Sequence, residues 1–375
     1  MRLSNKRLLQ LRTVFYIIIG WTIVGIGHEL LNHVHIEAVE HSGYENYEFF
    51  TNIVTNLIII PFAAVIGGMF IVFTKDAFKE IPFKTRLLLE ILSFALLVVV
   101  FTLIGSFIYN AIYFQTFVLE EAVVREVKQT LTSWGMFYNL IFWTTIGSLT
   151  IVLVQIIDFH GREKFYNTFT GKYYHPCLES RIFIFLDLRD STRLAERLGH
   201  RQWFAFINHF IRDLSIAVVN QRGEIYQYVG DEIVVTWPSN LGFRRNACIN
   251  FFFEAQDIIQ SREEVYKERF GFVPTFRASL HHGEVTAGEV GLFRKDIIYT
   301  GDVLNTAKRI QGMCDGMKTN LLVSEETFKN LEDVRAFSII QRAELELKGK
   351  ENRIFVLDVR RVHETNVVVM KTAAG

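Results

Sequence analysis

Cysteine is scarce in this chain: Cys177, Cys248 and Cys314 are the three among 375 residues. An odd, scattered set builds no disulfide framework, and no spacing among them reads as a metal site. Free thiols in a reducing compartment are expected. Excess charge is missing as well. Forty Lys and Arg balance forty Asp and Glu, for a formal net charge of zero, so no general basic surface is offered to nucleic acid. No internal repeat or low-complexity stretch occurs. What is abundant is apolar and aromatic side chains, which make up half the residues with 34 Phe among them. They are unevenly placed.

Four apolar runs, at about 13–31, 53–74, 87–109 and 136–157, crowd the first 160 positions. Each approaches the ~20 apolar residues that a helix needs to cross a bilayer. A cleaved signal peptide does not fit the first run, because no small-residue cleavage site follows it and three more runs do. Arg2, Lys6, Arg7 and Arg12 precede the first run, and Lys75, Lys79, Lys84 and Arg86 occupy the second loop. The first loop instead carries Glu37, Glu40, Glu45 and Glu48. The positive-inside rule predicts a multi-pass protein of the plasma (inner) membrane, embedded in the lipid bilayer, with the N-terminus and everything after Asp158 in the cytoplasm. His28, His33, His35 and His41 gather near the outer end of the first run with Glu29 and Glu37. Polar residues at membrane depth often have functional roles. A metal or haem site, an interfacial polar cluster and an unknown sensory ligand all remain open.

Residues 159–180 turn mixed and basic-aromatic, with Pro176 marking a break. This connector reads either as a helical extension of the fourth run that pairs with a second copy, or as a passive tether. Beyond it, strand and helix alternate. Ile182–Leu186 has a buried-strand pattern and Arg201–Asn220 a helical period; Gly230-Asp231 is the turn of a hairpin between Glu224–Val229 and Ile233–Trp237. A long helix is expected from Arg244 to Arg269, followed by strands near 275–285 and 297–300 and a last hairpin near 345–357. These elements fit the α+β class, with helices packed on a mainly antiparallel sheet.

Two aspartates carry the chemistry. Asp187 lies in Phe185-Leu-Asp-Leu-Arg-Asp-Ser-Thr192 and Asp231 in Tyr226-Gln-Tyr-Val-Gly-Asp-Glu-Ile233. Each ends an apolar, β-favouring run and opens a tight turn. Read singly, either is a turn-capping residue. Together they are two hard carboxylates on one sheet edge, a donor set suited to two Mg²⁺ or Mn²⁺ ions, with the Leu188 carbonyl as a further ligand. In Gly301-Asp-Val-Leu-Asn-Thr-Ala-Lys-Arg309, Asn305 and Arg309 stand four apart on one helix face. Metal carboxylates, an amide and a guanidinium are the parts that chemistry on a nucleoside triphosphate needs.

In this order and at these gaps, the motifs from about Arg181 to Val359 resemble the catalytic domain of class III nucleotidyl cyclases, the adenylyl and guanylyl cyclase family. The resemblance implies a ferredoxin-like core at 181–360, preceded by an all-α membrane domain of four transmembrane helices at 1–158 and followed by a tail at 361–375. It implies conversion of ATP to cyclic AMP and pyrophosphate, with GTP as the alternative substrate. Asn305 then orients the ribose, and Arg309 stabilises charge developing on the phosphate. In the family these two reach the partner subunit's site, which makes a homodimer the working unit. Lys348, or Lys350 beside it, resembles the lysine that holds the triphosphate. Thr192 lies in the turn whose backbone N–H groups open a helix toward phosphate. The family commonly has glycine where this chain has Asp190, an acid expected to cap that helix. Adenylyl members usually place Lys, and guanylyl members Glu, four residues before the second metal aspartate. Gln227 stands there and excludes neither base. The companion position is Ile298, without a polar group, which favours adenine because guanine's extra donors would go unpaired. A catalytically silent receptor that keeps the fold is the reading from another class; the presence of Asp187, Asp231, Asn305 and Arg309 counts against it.

Overall fold

The structure, a computed structural model, describes residues 5–38, 49–77, 81–293, 295–345 and 353–362. The chain divides into two compact units, Met1–Arg162 and Glu163–Gly375.

The first unit is helical: α1 (Asn5–Ala38), α2 (Phe49–Ala77), α3 (Phe83–Tyr113), α4 (Glu121–Thr132) and α5 (Trp134–His160). Of these, α1, α2, α3 and α5 are long and apolar enough to cross a membrane, and they contain the four apolar runs. Their mutual contacts bury Trp21, Ala64, Val72, Phe94, Val98 and Ile151. A Cβ on Gly147 would collide with the Phe94 ring, so the close approach of α5 to α3 depends on that glycine. Polar side chains inside the unit answer one another. Trp21 Nε1 donates to Thr150 Oγ1 at 3.0 Å, and Gln155 Nε2 donates to the buried Glu90 Oε2 at 2.7 Å. The short amphipathic α4 was not expected; it buries Val123 and Val127 and exposes Glu121, Arg125 and Lys128.

Gly161, at φ 86°, ends α5, and a separate helix α6 (Arg162–Phe169) follows. The connector is therefore not a continuous extension of α5.

The second unit runs β1 (Cys177–Leu188), α7 (Ser191–Asn220), β2 (Glu224–Val229), β3 (Glu232–Pro238), α8 (Ser239–Phe243), α9 (Ala247–Ser261), α10 (Glu263–Phe270) and β4 (Phe276–Val290). It continues with β5 (Asp296–Thr300), α11 (Asp302–Met313), β6 (Leu321–Ser324), α12 (Glu325–Lys329), β7 (Phe337–Leu345) and β8 (Ile354–Arg361). The sheet order is β2-β3-β1-β4-β6-β8-β7, with β5 paired to β4. The first four strands and their crossover helices form the expected ferredoxin-like core. Only β4 and β6 pair in parallel among these strands.

Alternation along β1 explains its unbroken apolar run. Ile182, Ile184, Leu186 and Leu188 face a core made with Phe206, Phe210 and Phe252 of α7 and α9. Phe183 and Phe185 face the opposite side, with Tyr226, Tyr299, Val303 and Ala307. Both faces are covered, so both sets are apolar. Asp187 follows Phe185 by two residues and takes the face on which α11 packs.

The helix expected over 244–269 is broken. Arg245 and Asn246 adopt φ 54° and 56°, and Arg262 separates α9 from α10. Asn246 Nδ2 donates to the Asp333 carbonyl at 2.5 Å, and its Oδ1 accepts from Glu332 N at 2.8 Å. A tertiary tie to a distant loop holds the break against the local helical period.

Candidate active site

Strand register brings the two aspartates together. Leu186 of β1 pairs with Ile233 of β3, and Asp187 and Leu188 complete β1 beside the β2–β3 hairpin. Val229 pairs with Glu232, which leaves Gly230-Asp231 as a two-residue loop. Gly230 supplies φ 64°, the glycine-first form that such a loop requires. Burial pushes the Asp231 carboxyl above the usual carboxylate range. Hydrogen bonds from Ser191 and its own backbone pull it down, and the neighbouring Asp187 carboxylate adds to the rise. Asp231 Oδ2 is buried and has no hydrogen-bond partner among the described residues.

Arg277 lies opposite Asp187 in the β1–β4 register. Its Nη2 and Nε donate to Asp187 Oδ2 at 2.9 and 3.3 Å. Arg277 also pairs with Asp315, whose other oxygen accepts from Arg189 Nη1 at 2.7 Å. Arg189 Nη2 bonds the Thr319 carbonyl at 2.5 Å. This network anchors Asp187, but nothing equivalent reaches the inner oxygen of Asp231. A buried carboxylate oxygen beside a second carboxylate is unfavourable until a cation answers it. The all-oxygen donor set suits Mg²⁺ or Mn²⁺. No group of three or more His, Cys, Asp or Glu side chains converges among the described residues. Backbone carbonyls, water and phosphate oxygens would complete such a shell, as Mg²⁺ prefers.

The other expected site residues are placed as follows. Asp190 sits at φ 55° before α7 and makes no capping bond through its side chain, contrary to the expected role. Its left-handed backbone is one that glycine adopts without strain, so the position is set by main-chain conformation. Thr192 is exposed in the first turn of α7. Gln227 is exposed on β2 just after a bulge at Tyr226. Ile298 is 36% exposed on β5, beside Tyr299, whose N–H donates to Tyr226 Oη at 3.3 Å. Asn305 and Arg309 are both exposed on α11, whose other face buries Val303, Ala307 and Ile310. No hydrogen bond or ion pair among the described residues joins either to Asp187 or Asp231. Lys348 and Lys350 lie outside the described residues. One chain thus gathers the carboxylates at a strand end and exposes the amide and guanidinium on α11 without bonding them to those carboxylates.

Residues 175–359 match the family model of the adenylate and guanylate cyclase catalytic domain. This segment belongs to that family. Adenylate cyclase 2 of Rhizobium meliloti (strain 1021) is 32% identical over 215 residues, 57% of this chain and 59% of that protein. An adenylate cyclase of Anabaena cylindrica is 27% identical over 182 residues, 47% of this chain and 36% of that protein. The chain therefore spans less than two thirds of either relative. Among solved structures, the adenylyl cyclase CyaB from P. aeruginosa aligns at 18% identity and a TM-score of 0.44, covering 50% of this chain and 96% of that one.

Three residues of the cyclase domain escaped sequence reasoning. Arg277 meets Asp187 only through strand register, although an arginine within the apolar strand from Phe276 to Leu280 was a visible signal. Glu232 and Lys308 form an ion pair, and Lys308 Nζ also donates to Gln311 Oε1 at 2.8 Å. This contact ties α11 to the hairpin that carries Asp231. No spacing in the sequence announces it.

Proposed function

We propose that this protein is a membrane-anchored adenylate cyclase that converts ATP to 3′,5′-cyclic AMP and pyrophosphate at a homodimer interface. The observation that carries this reading is the juxtaposed Asp187 and Asp231, with a buried oxygen unanswered, inside a cyclase-family domain. In the reaction the ribose 3′ oxygen forms a bond to the α-phosphorus while the bond to the bridging oxygen breaks and pyrophosphate departs. The hydroxyl proton passes to water. Asp187, Asp231 and the Leu188 carbonyl would hold two Mg²⁺ or Mn²⁺ ions, which, when bound, acidify the attacking hydroxyl and neutralise the triphosphate.

The chain's own groups do the positioning. Asn305 orients the ribose and Arg309 faces the charge that develops on the phosphate, each reaching into the site of a second copy. Their exposure on α11, with no bond to the aspartates of the same chain among the described residues, supports that division of labour. Exposed apolar side chains such as Tyr228, Val229, Leu292 and Phe293 supply surface for pairing. The open first turn of α7 at Thr192 offers backbone N–H groups to phosphate, and Lys348 binds the triphosphate. Gln227 and Ile298 flank the base; the apolar Ile298 and the names of the relatives both favour adenine. The helices α1, α2, α3 and α5 cross the bilayer. Their outward side chains, including Ile23, Ile58, Leu96 and Leu149, are each at least 60% exposed and apolar, as lipid contact requires.

A guanylate cyclase is the second reading, since the Gln227 amide accepts from guanine N1–H as well as it donates to adenine. The full-length protein in lipid nanodiscs, given Mn-ATP and Mn-GTP separately, decides between them. Cyclic AMP as the main product supports the proposal, and cyclic GTP-derived product replaces it with the second reading. No cyclic product from either nucleotide leaves the silent receptor.

A further inference from the structure

The helices of the first unit enclose a cavity of about 1320 Å³ that plays no part in the proposed reaction. Toward the ends of the helices that lead to the first and third loops, its lining includes Glu29 and Asn32 on α1, Asn56 on α2 and Glu126 on α4. Its floor is apolar and aromatic, formed by Trp21, Ala64, Phe94 and Trp143. From Ser133 to Trp143 the lining runs ten residues along α5, about 15 Å at 1.5 Å per residue.

The lining has one sign of charge. Glu29 and Glu126 contribute carboxylates, and no Lys or Arg lines the cavity among the described residues. Glu29 is held in place by His28, whose Nδ1 lies 3.4 Å from its Oε1. The His28 ring is itself fixed, 5% exposed and stacked on Phe142 at 4.0 Å and Tyr138 at 5.5 Å. Thr55 is 2% exposed and its hydroxyl has no hydrogen-bond partner among the described residues. It lines the cavity at its first-loop end, next to Asn56. A buried, unanswered hydroxyl marks a place where a ligand or water completes the bonding. Carboxylates above, aromatic faces along the walls and an apolar floor together favour a cationic head on an apolar body. The carboxylates of Glu29 and Glu126 disfavour an anion there. A metal ion finds no group of three ligating side chains among the described residues.

We propose that this cavity binds an amphipathic organic cation, an amine carrying an apolar body, with its ammonium at Glu29 and its body toward Trp21 and Phe94. The membrane-spanning reading sets only the side of entry, which the basic residues of the second loop make the outer one. Binding is read without turnover, so this proposal and the proposed reaction fail independently.

The test uses the full chain in lipid nanodiscs, titrated calorimetrically with 4-phenylbutylamine, 4-phenylbutanol and 4-phenylbutyrate. The ammonium should bind saturably at one site per chain, the alcohol at least tenfold more weakly, and the carboxylate not at all. Glu29→Gln should weaken the ammonium at least tenfold and leave the alcohol unchanged. Glu126→Gln carries the same direction of effect, and decides the matter should the first variant fail to fold. Equal partitioning of the three probes means a lipid-filled cavity and overturns the proposal. So does the absence of saturable binding, or ammonium binding that neither folded variant weakens.

Discussion

The two ends of β1 treat buried charge in opposite ways. At one end Arg181 is 1% exposed, and every direction of its guanidinium is answered. Its Nε donates to Glu179 at 2.7 Å, Nη1 to Glu224 at 2.8 Å and Nη2 to Tyr173 Oη at 3.3 Å, while Tyr299 lies beneath it at 4.5 Å. At the other end Asp187 and Asp231 crowd like charges together and leave one oxygen without a partner. Satisfied buried charge belongs to the scaffold; unsatisfied buried charge, shifted in its titration, points to a place suited to a ligand. The contrast separates architecture from chemistry along a single strand.

The sharpest way to break this comparison is Asp231→Ala. Product formation should fall by more than about a hundredfold, beyond the cost of losing an outer-shell partner of a metal, while dimerisation and melting temperature hold. Unchanged turnover would refute a metal role. A mixture of chains carrying Asp187→Ala with chains carrying Arg309→Ala should regain activity that neither variant shows alone, because one complete site forms per heterodimer. Failure to complement removes the shared-site proposal.

Arg181→Met should do the reverse. Glu179 keeps Lys172 and Tyr173, but leaving Glu224 without its guanidinium costs about 3–5 kcal/mol, seen as a lower unfolding midpoint, while turnover per folded molecule stays near that of the parent. Smaller still is Arg277→Gln. The partly exposed pair with Asp187 is worth about 1 kcal/mol after solvent screening, so nucleotide-free protein should bind Mn²⁺ about fivefold more tightly; weaker binding would show that Arg277 instead shapes the metal site. The subtlest test is acidity. Burial raises the Asp231 carboxyl, so on acidification it takes up its proton sooner than an ordinary aspartate of about 3.9, and a protonated carboxyl is a poor ligand. Mn²⁺ affinity should therefore decline at a pH above that value. Ser191→Ala removes a bond that lowers the Asp231 pKa, and should move the decline to higher pH.

The sequence was most legible where local pattern and tertiary need coincide. The four apolar runs became four long helices, and Gly230-Asp231 became the turn of its hairpin. The two aspartates sit together because each closes a strand that the apolar alternation already defined. Where long-range bonds overrule local preference, the reading failed. The 244–269 period promised one helix, but Asn246 bonds residues near position 333 and turns the chain. Asp190 looked like a cap by residue type, while its backbone conformation serves the turn instead. Arg277 was missed because register, not spacing, sets it against Asp187, and α4 because its polar face interrupts an apolar signal.

Lys308 and Glu232 give the proposed dimer a property beyond geometry. In that proposed dimer, the helix offering Asn305 and Arg309 to the other chain is fastened, one residue away from Arg309, to the strand residue that follows its own Asp231. A nucleotide gripped across that proposed boundary would therefore tug on the acid pair of the donor chain. Two such centres would behave as coupled springs, and filling the first should alter the grip of the second.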